Sequence, residues 1–207
     1  MNDVSEPVPF RLETPDSTLN GLLDLPAIPG ERPAIVICHG FEGLEWGFVP
    51  YLAALLAARG FVSIRTGGHR LADLLAVLDG LGETIAPGRV DRRRGLFGHG
   101  QGAGAAILAA GRPGVRALVT WAAVMDADIL AAAADVRVPW LIVHGAEDET
   151  VSVEEGRQLA GQADGEHELL VVPGASHSFG TRHPFTGPTP QLIQALNATQ
   201  RWFRAHL

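Results

Sequence analysis

Apolar and polar residues change period several times along the chain, and each change marks an element. Val8–Glu13 and Leu19–Leu25 are short runs of strand formers on either side of Pro15-Asp16-Ser17, which predicts two strands joined by a turn, an antiparallel pair. Pro26–Pro33 is a turn-rich connector. Ala34-Ile-Val-Ile-Cys38 is an unbroken apolar run of β-formers, the pattern of a strand covered on both faces. The period then lengthens. Phe48–Arg59 is apolar at Tyr51, Leu52, Leu55 and Leu56 and reads as a helix stopped by Gly60. Phe61–Arg65 reads as a strand, Thr66-Gly67-Gly68 as a turn, and His69–Leu81 as a helix with Leu71, Leu74, Leu75 and Leu78 on one face. The same alternation continues through a strand at Leu96–Phe97 and a helical run at Ala103–Ala110. Further strands are expected at Ala117–Trp121, Trp140–His144 and Glu168–Val172, and helices at Asp128–Ala134, Val153–Gln162 and Pro190–Leu207. Strands alternating with helices from residue 34 onward predict an α/β fold, a mostly parallel sheet with helices on both faces. No repeat or long linker interrupts the pattern, so residues 1–207 read as a single domain, and Ala122–Pro139 is too short for a lid domain.

Composition narrows the picture slightly. A chain of 207 residues is long enough to bury a good core. No apolar run is long enough to span a bilayer, and the acidic start Met-Asn-Asp-Val-Ser-Glu-Pro has no signal-peptide pattern. One cysteine excludes an internal disulfide and fits a reducing compartment, so a cytoplasmic location is expected. The net charge of -7 argues against a nucleic-acid partner. Apart from histidine every basic residue is Arg, which reads as compositional bias; a homo-oligomer is compatible with all of this.

The chemistry gathers around Gly95-Leu-Phe-Gly-His-Gly-Gln-Gly-Ala-Gly-Ala-Ala106, a strand that runs through a glycine-dense turn into a helix. Gly98-His99-Gly100-Gln101-Gly102 has the frame of a nucleophile elbow, G-x-S-x-G, with Gly100 where Ser should stand. Flanking glycines are needed because strand and helix approach too closely for a Cβ. The central residue takes a strained backbone angle that glycine accepts freely. Two further segments end at the same sheet edge, where ligands collect. Trp140-Leu-Ile-Val-His-Gly-Ala-Glu-Asp148 places an acid past one strand, and Val171-Val-Pro-Gly-Ala-Ser-His177 places a histidine past the next. Position 100, Asp148 and His177 therefore appear in the order nucleophile, acid, base. For acyl transfer, His177 is the expected general base toward a hydroxyl at 100, and Asp148 the residue that fixes its tautomer. The backbone N–H groups of Gln101 and Phe41 are the expected oxyanion donors. Glu147 and Glu149 compete with Asp148, and Asp126 is a reserve acid.

On these residues the chain resembles the α/β-hydrolase superfamily, and within it bacterial hydrolases grouped near dienelactone hydrolases. The blocks that carry the likeness are Cys38-His-Gly-Phe-Glu-Gly-Leu-Glu-Trp-Gly-Phe-Val-Pro-Tyr51, Gly98–Gly102, His144-Gly-Ala-Glu-Asp-Glu-Thr-Val151 and His177-Ser-Phe-Gly-Thr-Arg-His-Pro-Phe185, with the helix to Leu207. The resemblance implies a hydrolase of small-molecule esters or related acyl bonds that uses no cofactor and no metal. Two departures stand out. The family carries Ser, or Cys in dienelactone hydrolases proper, at the position of Gly100. Relatives also carry a longer segment after the strand that ends at Arg65.

Other features have plainer readings. Gly98-x-Gly100-x-x-Ala103 is also a variant of a dinucleotide fingerprint, but it lies mid-chain, and no acid directly closes the following strand, Ala117–Trp121, where Asp126 is the nearest candidate. His39, His99 and His183 read as structural or site-wall residues, His69 as part of a solvated turn, and Cys38 as a small apolar core residue. Arg92–Arg94 reads as a solvated approach to a strand. Two functions follow. One is an ester-hydrolase scaffold that has lost its nucleophile and is inactive as it stands; the other is a non-catalytic relative that binds a small ligand or a partner. A dinucleotide-dependent oxidoreductase is a distant third.

Overall fold

The computed structural model describes residues 6–14, 17–40, 43–67 and 70–207. Eight strands form one sheet in the order β1-β2-β4-β3-β5-β6-β7-β8. They are β1 (Val8–Glu13), β2 (Thr18–Asp24), β3 (Arg32–Cys38), β4 (Val62–Thr66), β5 (Val90–His99), β6 (Val115–Trp121), β7 (Trp140–Gly145) and β8 (His167–Val172). β1 and β2 pair antiparallel and β2 joins β4 antiparallel; all other pairings are parallel. Six helices connect them: α1 (Val49–Ala57), α2 (Leu71–Gly80), α3 (Gln101–Ala109), α4 (Ala127–Ala133), α5 (Val153–Gln162) and α6 (Pro190–His206). This is the expected α/β architecture, and the β6–β7 connection holds α4 alone.

Period-two alternation divides the core between the two faces. Ala34, Val36 and Cys38 of β3 point into the cluster that also takes Leu74 and Val77 of α2, Ala106 of α3 and Leu159 of α5. Ile35 and Ile37 point the other way, to Leu52 and Leu56 of α1 and Leu196 and Phe203 of α6. Both faces of the central strands are covered, which is why β3 is apolar at every position from 34 to 38. The two largest buried indoles are satisfied: Trp121 Nε1 donates to Thr199 Oγ1 at 3.0 Å, and Trp140 Nε1 to Thr120 Oγ1 at 2.9 Å.

Three details differ from the sequence reading. β5 is ten residues long and already includes Arg92, Arg93 and Arg94, so these belong to the strand rather than to its approach. Their side chains reach solvent while the backbone pairs with β3 and β6, with a register shift on each side. The buried face of α2 is turned slightly from the expected one: Asp73, Leu74, Val77 and Leu78 are buried, and Asp73 is paired with Arg70 at 2.7 Å. The turn at Pro15-Asp16-Ser17 lies partly outside the described residues, as does the one at Thr66-Gly67-Gly68, and His69 lies wholly outside. α2 nonetheless starts only five residues after β4 ends, so the β4–α2 connection is as short as the sequence indicates.

Candidate active site

The turn between β5 and α3 shows why its glycines are there. A Cβ on Gly98 would lie 2.4 Å from the Ala103 Cα, and one on Gly102 would lie 2.3 Å from the Cys38 carbonyl oxygen. Neither contact is tolerable, so strand, helix and the end of β3 pack this closely only with glycine at both flanks. Gly100 stands between them at φ 57° and ψ -122°, as the residue that caps α3. An L side chain pays for that conformation in strain, as expected of a nucleophile elbow. The turn is fixed by backbone bonds: Gly100 N donates to Trp121 O at 3.0 Å, and Val124 N donates to Gly100 O at 3.1 Å.

Two loops meet this turn at the C-terminal edge of the sheet. The one after β7 carries Asp148, and the one after β8 carries His177. They are tied to each other by Ala146 N donating to Val172 O and Glu147 N donating to Ala175 O, both at 2.9 Å. Gly145 permits that approach, since a Cβ there would lie 2.3 Å from the Ala175 carbonyl oxygen. The result is a hydrogen bond from His177 Nδ1 to Asp148 Oδ2 at 2.9 Å. With Nδ1 donating, Nε2 carries the lone pair, and a Cβ built on Gly100 would sit 3.5 Å from it. A hydroxyl one bond further out would be within reach of that nitrogen.

The Asp148 side chain is fully buried, with that of His177 beside it 21% exposed, so the paired side chains open to solvent only through the imidazole. Asp148 Oδ1 accepts from the Thr150 and Val151 amides, each at 2.9 Å. Oδ2 also faces His144 Nε2 at 3.5 Å, which donates at the same time to Val151 O at 3.0 Å. Burial is the strongest influence on this carboxyl and favours its neutral form. The hydrogen bonds from His144, His177 and the Val151 amide outweigh it and hold the group well below the usual carboxylate range. The competing acids are elsewhere: Glu147 and Glu149 are exposed, and Asp126 caps α4 by accepting from Ile129 N at 2.8 Å.

A row of rings backs the site. His177 contacts His99 with centroids 4.8 Å apart, His99 stacks on His39 at 5.0 Å, and His39 meets Trp46 at 5.3 Å. His99 Nε2 also donates to the His177 carbonyl at 3.0 Å, which fixes the backbone of His177. Burial keeps both inner rings neutral: it pushes His39 down to about 4 and His99 well below the ordinary histidine value, with neighbouring histidines adding repulsion. His183 lies parallel to Trp46 with centroids 6.3 Å apart, beside a groove lined by Phe10, Leu22, Leu44 and Trp46. Gln101 opens α3 directly after Gly100, in the first turn of a helix, where backbone N–H groups have no acceptor within the helix. Phe41, the other expected oxyanion donor, lies outside the described residues. Cys38 is buried, and burial pushes its thiol up to about 12, so it behaves as the small apolar residue expected. Among the described residues, no group of three or more His, Cys, Asp or Glu is placed to hold a metal ion.

The sequence reading passed over the contact of His144 with Asp148. Its signal was the spacing: His144 and Asp148 are four residues apart, bracketing the glycine that closes the strand.

The family model described as "Dienelactone hydrolase family" matches residues 75–207, more than half of the chain. The chain belongs to the dienelactone hydrolase family. Solved structures similar to this family member include a dienelactone hydrolase from Anabaena variabilis ATCC 29413, with a TM-score of 0.79 and 21% identity over 100% of both chains. Est1E from Butyrivibrio proteoclasticus superposes with a TM-score of 0.80 and 20% identity, over 95% of this chain and 98% of that one. At such identities the likeness is one of fold. In sequence, the chain is 35% identical over 85 residues to an "Uncharacterized peptidase YuxL" of Bacillus subtilis (strain 168), a match that spans 40% of this chain and only 12% of that protein. Among the described residues, no helix is long and apolar enough to cross a membrane.

Proposed function

We propose that this member of the dienelactone hydrolase family binds a small ester or related acyl compound over Gly100. Its general base is His177, oriented by Asp148, and it has no covalent nucleophile of its own. The observation that carries this reading is the aim of His177 Nε2 at the Gly100 Cα, 3.5 Å from where a Cβ would begin. The oxyanion donors in this reading are the backbone N–H groups of Gln101 and Phe41. The strained φ of 57° at position 100 and the glycines that allow it favour an elbow over the dinucleotide turn. Asp148, buried and ionised, fits the role of keeping Nδ1 protonated and Nε2 free.

Without a side-chain hydroxyl, the chain in plain buffer has little or no esterase activity. Oxyanion donors and binding by themselves leave roughly 10³-fold over water in comparable cases. The test is Gly100→Ser assayed on a panel of short-chain activated esters. A gain in kcat/KM of about 10³-fold or more supports the reading. A folded Gly100→Ser protein that stays inert on the whole panel overturns it and leaves the second reading, a relative that uses the same cleft only to bind a ligand.

A further inference from the structure

The space in front of Gly100 is the most unusual chemical feature of this molecule. Among the described residues outside the turn itself, a Cβ placed on Gly100 would find only the His177 ring within 4 Å, Nε2 at 3.5 Å and Cε1 at 3.9 Å. The ring is held from two sides. Nδ1 donates to Asp148, and the His177 carbonyl accepts from His99. Its lone-pair nitrogen is therefore fixed toward that space, and the side chain is open enough to be reached from solvent. Replacing a serine side chain by hydrogen removes one carbon and one oxygen, which is the size of methanol.

We propose that this site carries out acyl transfer to an external hydroxyl nucleophile, water or a primary alcohol of one or two carbons, seated between Gly100 and His177 Nε2. The inference rests on the reading of the cleft as an acyl-binding site and extends it to the nucleophile. In the step, the alcohol oxygen bonds to the ester carbonyl carbon while its proton passes to His177 Nε2. The carbonyl electron pair moves onto oxygen and is held by the backbone donors at the start of α3. Collapse of that intermediate breaks the original ester bond, and the departing oxygen takes the proton back from His177. The net change is one ester and one alcohol to a new ester and a new alcohol, or to an acid when water attacks. No oxidant, metal or cofactor enters the balance.

An external nucleophile lacks the effective molarity of a side chain, so the reaction is slow relative to a serine variant and depends on alcohol concentration. An alcohol that matches the volume of the absent serine side chain is held best in line with His177 Nε2, so the expected order is methanol above ethanol, with propan-2-ol, a hindered secondary alcohol, last.

The experiment uses the unmodified protein with p-nitrophenyl acetate and added methanol, ethanol or propan-2-ol. It follows p-nitrophenol release and the new ester, with the protein-free rate subtracted. The expected result is a protein-dependent rate that rises roughly threefold or more up to about 1 M methanol, less with ethanol and not with propan-2-ol. Methyl acetate should form in step with the rise, whereas attack by water gives acetate. His177→Gln should lose about 10²-fold of the methanol-dependent rate. Gly100→Ala, whose methyl group occupies the seat, should lose the rise as well, and the alcohol size order tests the same point without altering the fold. Absence of protein-dependent methyl acetate overturns the proposal, as does a methanol response that survives His177→Gln or ignores alcohol size. Gly100→Ser tells the two failures apart. If it hydrolyses esters while the unmodified protein ignores methanol, the acyl-binding reading stands and only this inference falls. If Gly100→Ser is inert too, both fall.

Discussion

Asp24 and Asp148 both bury their carboxylates, and they differ in what lies beyond their partners. Asp24 in β2 is held by Arg65 of β4 through two hydrogen bonds, at 2.9 and 3.2 Å, with both side chains almost wholly out of solvent. Arg65 spends its remaining reach on the Leu44 carbonyl, at 3.1 Å. Burial pushes the Asp24 carboxyl up, opposed by the charge and hydrogen bonds of Arg65. The Asp148 side chain is equally buried, but its partners are two backbone amides and two imidazoles, and one imidazole is partly exposed and turns Nε2 toward Gly100. The first pair closes on itself and can only hold β2, β4 and the 43–47 loop together. The second passes the influence of a buried charge outward to a nitrogen that can take a proton. A buried carboxylate thus marks a site when its partner has a second, accessible end.

The sharpest way to break this contrast is in the Gly100→Ser background. There, Asp148→Asn should leave the fold intact and lower kcat by about 10⁴-fold, because the imidazole loses its orienting acceptor and its tautomer. The companion change, Asp24→Asn in the same background, should leave kcat within a small factor. Equal losses from the two would show that the distinction drawn here is wrong.

Stability should respond the other way round. Asp24→Ala strands the Arg65 guanidinium in the core and is expected to cost about 3–5 kcal/mol in denaturant unfolding. The double replacement Asp24→Leu with Arg65→Met should recover most of that loss, since no charge is left unpaired. If Asp24→Ala unfolds at an unchanged denaturant midpoint, the pair is not the strut described.

Acid should weaken the ring row behind the site. His39 is pushed down to about 4 from an ordinary 6.5 by burial, so the unfolded chain binds its proton more readily than the folded one between those values. The sign is therefore fixed: this contribution is fully present above about pH 6.5 and is lost as the pH falls toward 4. Unfolding at pH 5 should be easier than at pH 7 by about 2 kcal/mol from this group alone. His99 acts in the same direction. His39→Gln, which cannot take a proton, should flatten the pH dependence of Tm; an identical slope in the variant would remove His39 from the account. Asp148 adds a loss of the same sign only at lower pH, below the usual carboxylate range.

The smallest expected effect is on position 100 itself. Gly100→Ser puts an L side chain at φ 57°, which should lower stability by about 1 kcal/mol even as it adds the hydroxyl on which the proposed activity depends. A raised Tm in that variant would mean the turn is not strained.

Much of this was legible in the chain. α5 was expected over Val153–Gln162 and β1 over Val8–Glu13, and both have those bounds, because each has a clear period and a clear stop. The glycines at 98 and 102 spoke for a close strand–helix approach, and their surroundings supply the reason. Arg92–Arg94 misled for an opposite cause. Pairing in a sheet uses backbone groups that every residue has, so a polar run at the mouth of a strand leaves no mark in the side-chain pattern.

What the sequence determined by itself was local: the alternation of periods that makes an α/β sheet, and the steric freedom that puts a sharp turn at Gly98–Gly102. What only the tertiary structure decided was which of four acids faces His177, that His144 supports that acid, and that His99 and His39 stack behind His177. Those outcomes depend on the edges of parallel neighbours being brought side by side, and on one glycine, Gly145, letting two loops touch. Period and steric freedom are properties of a few adjacent residues. The distance between an imidazole and a carboxylate on separate strands is a property of the sheet that joins them.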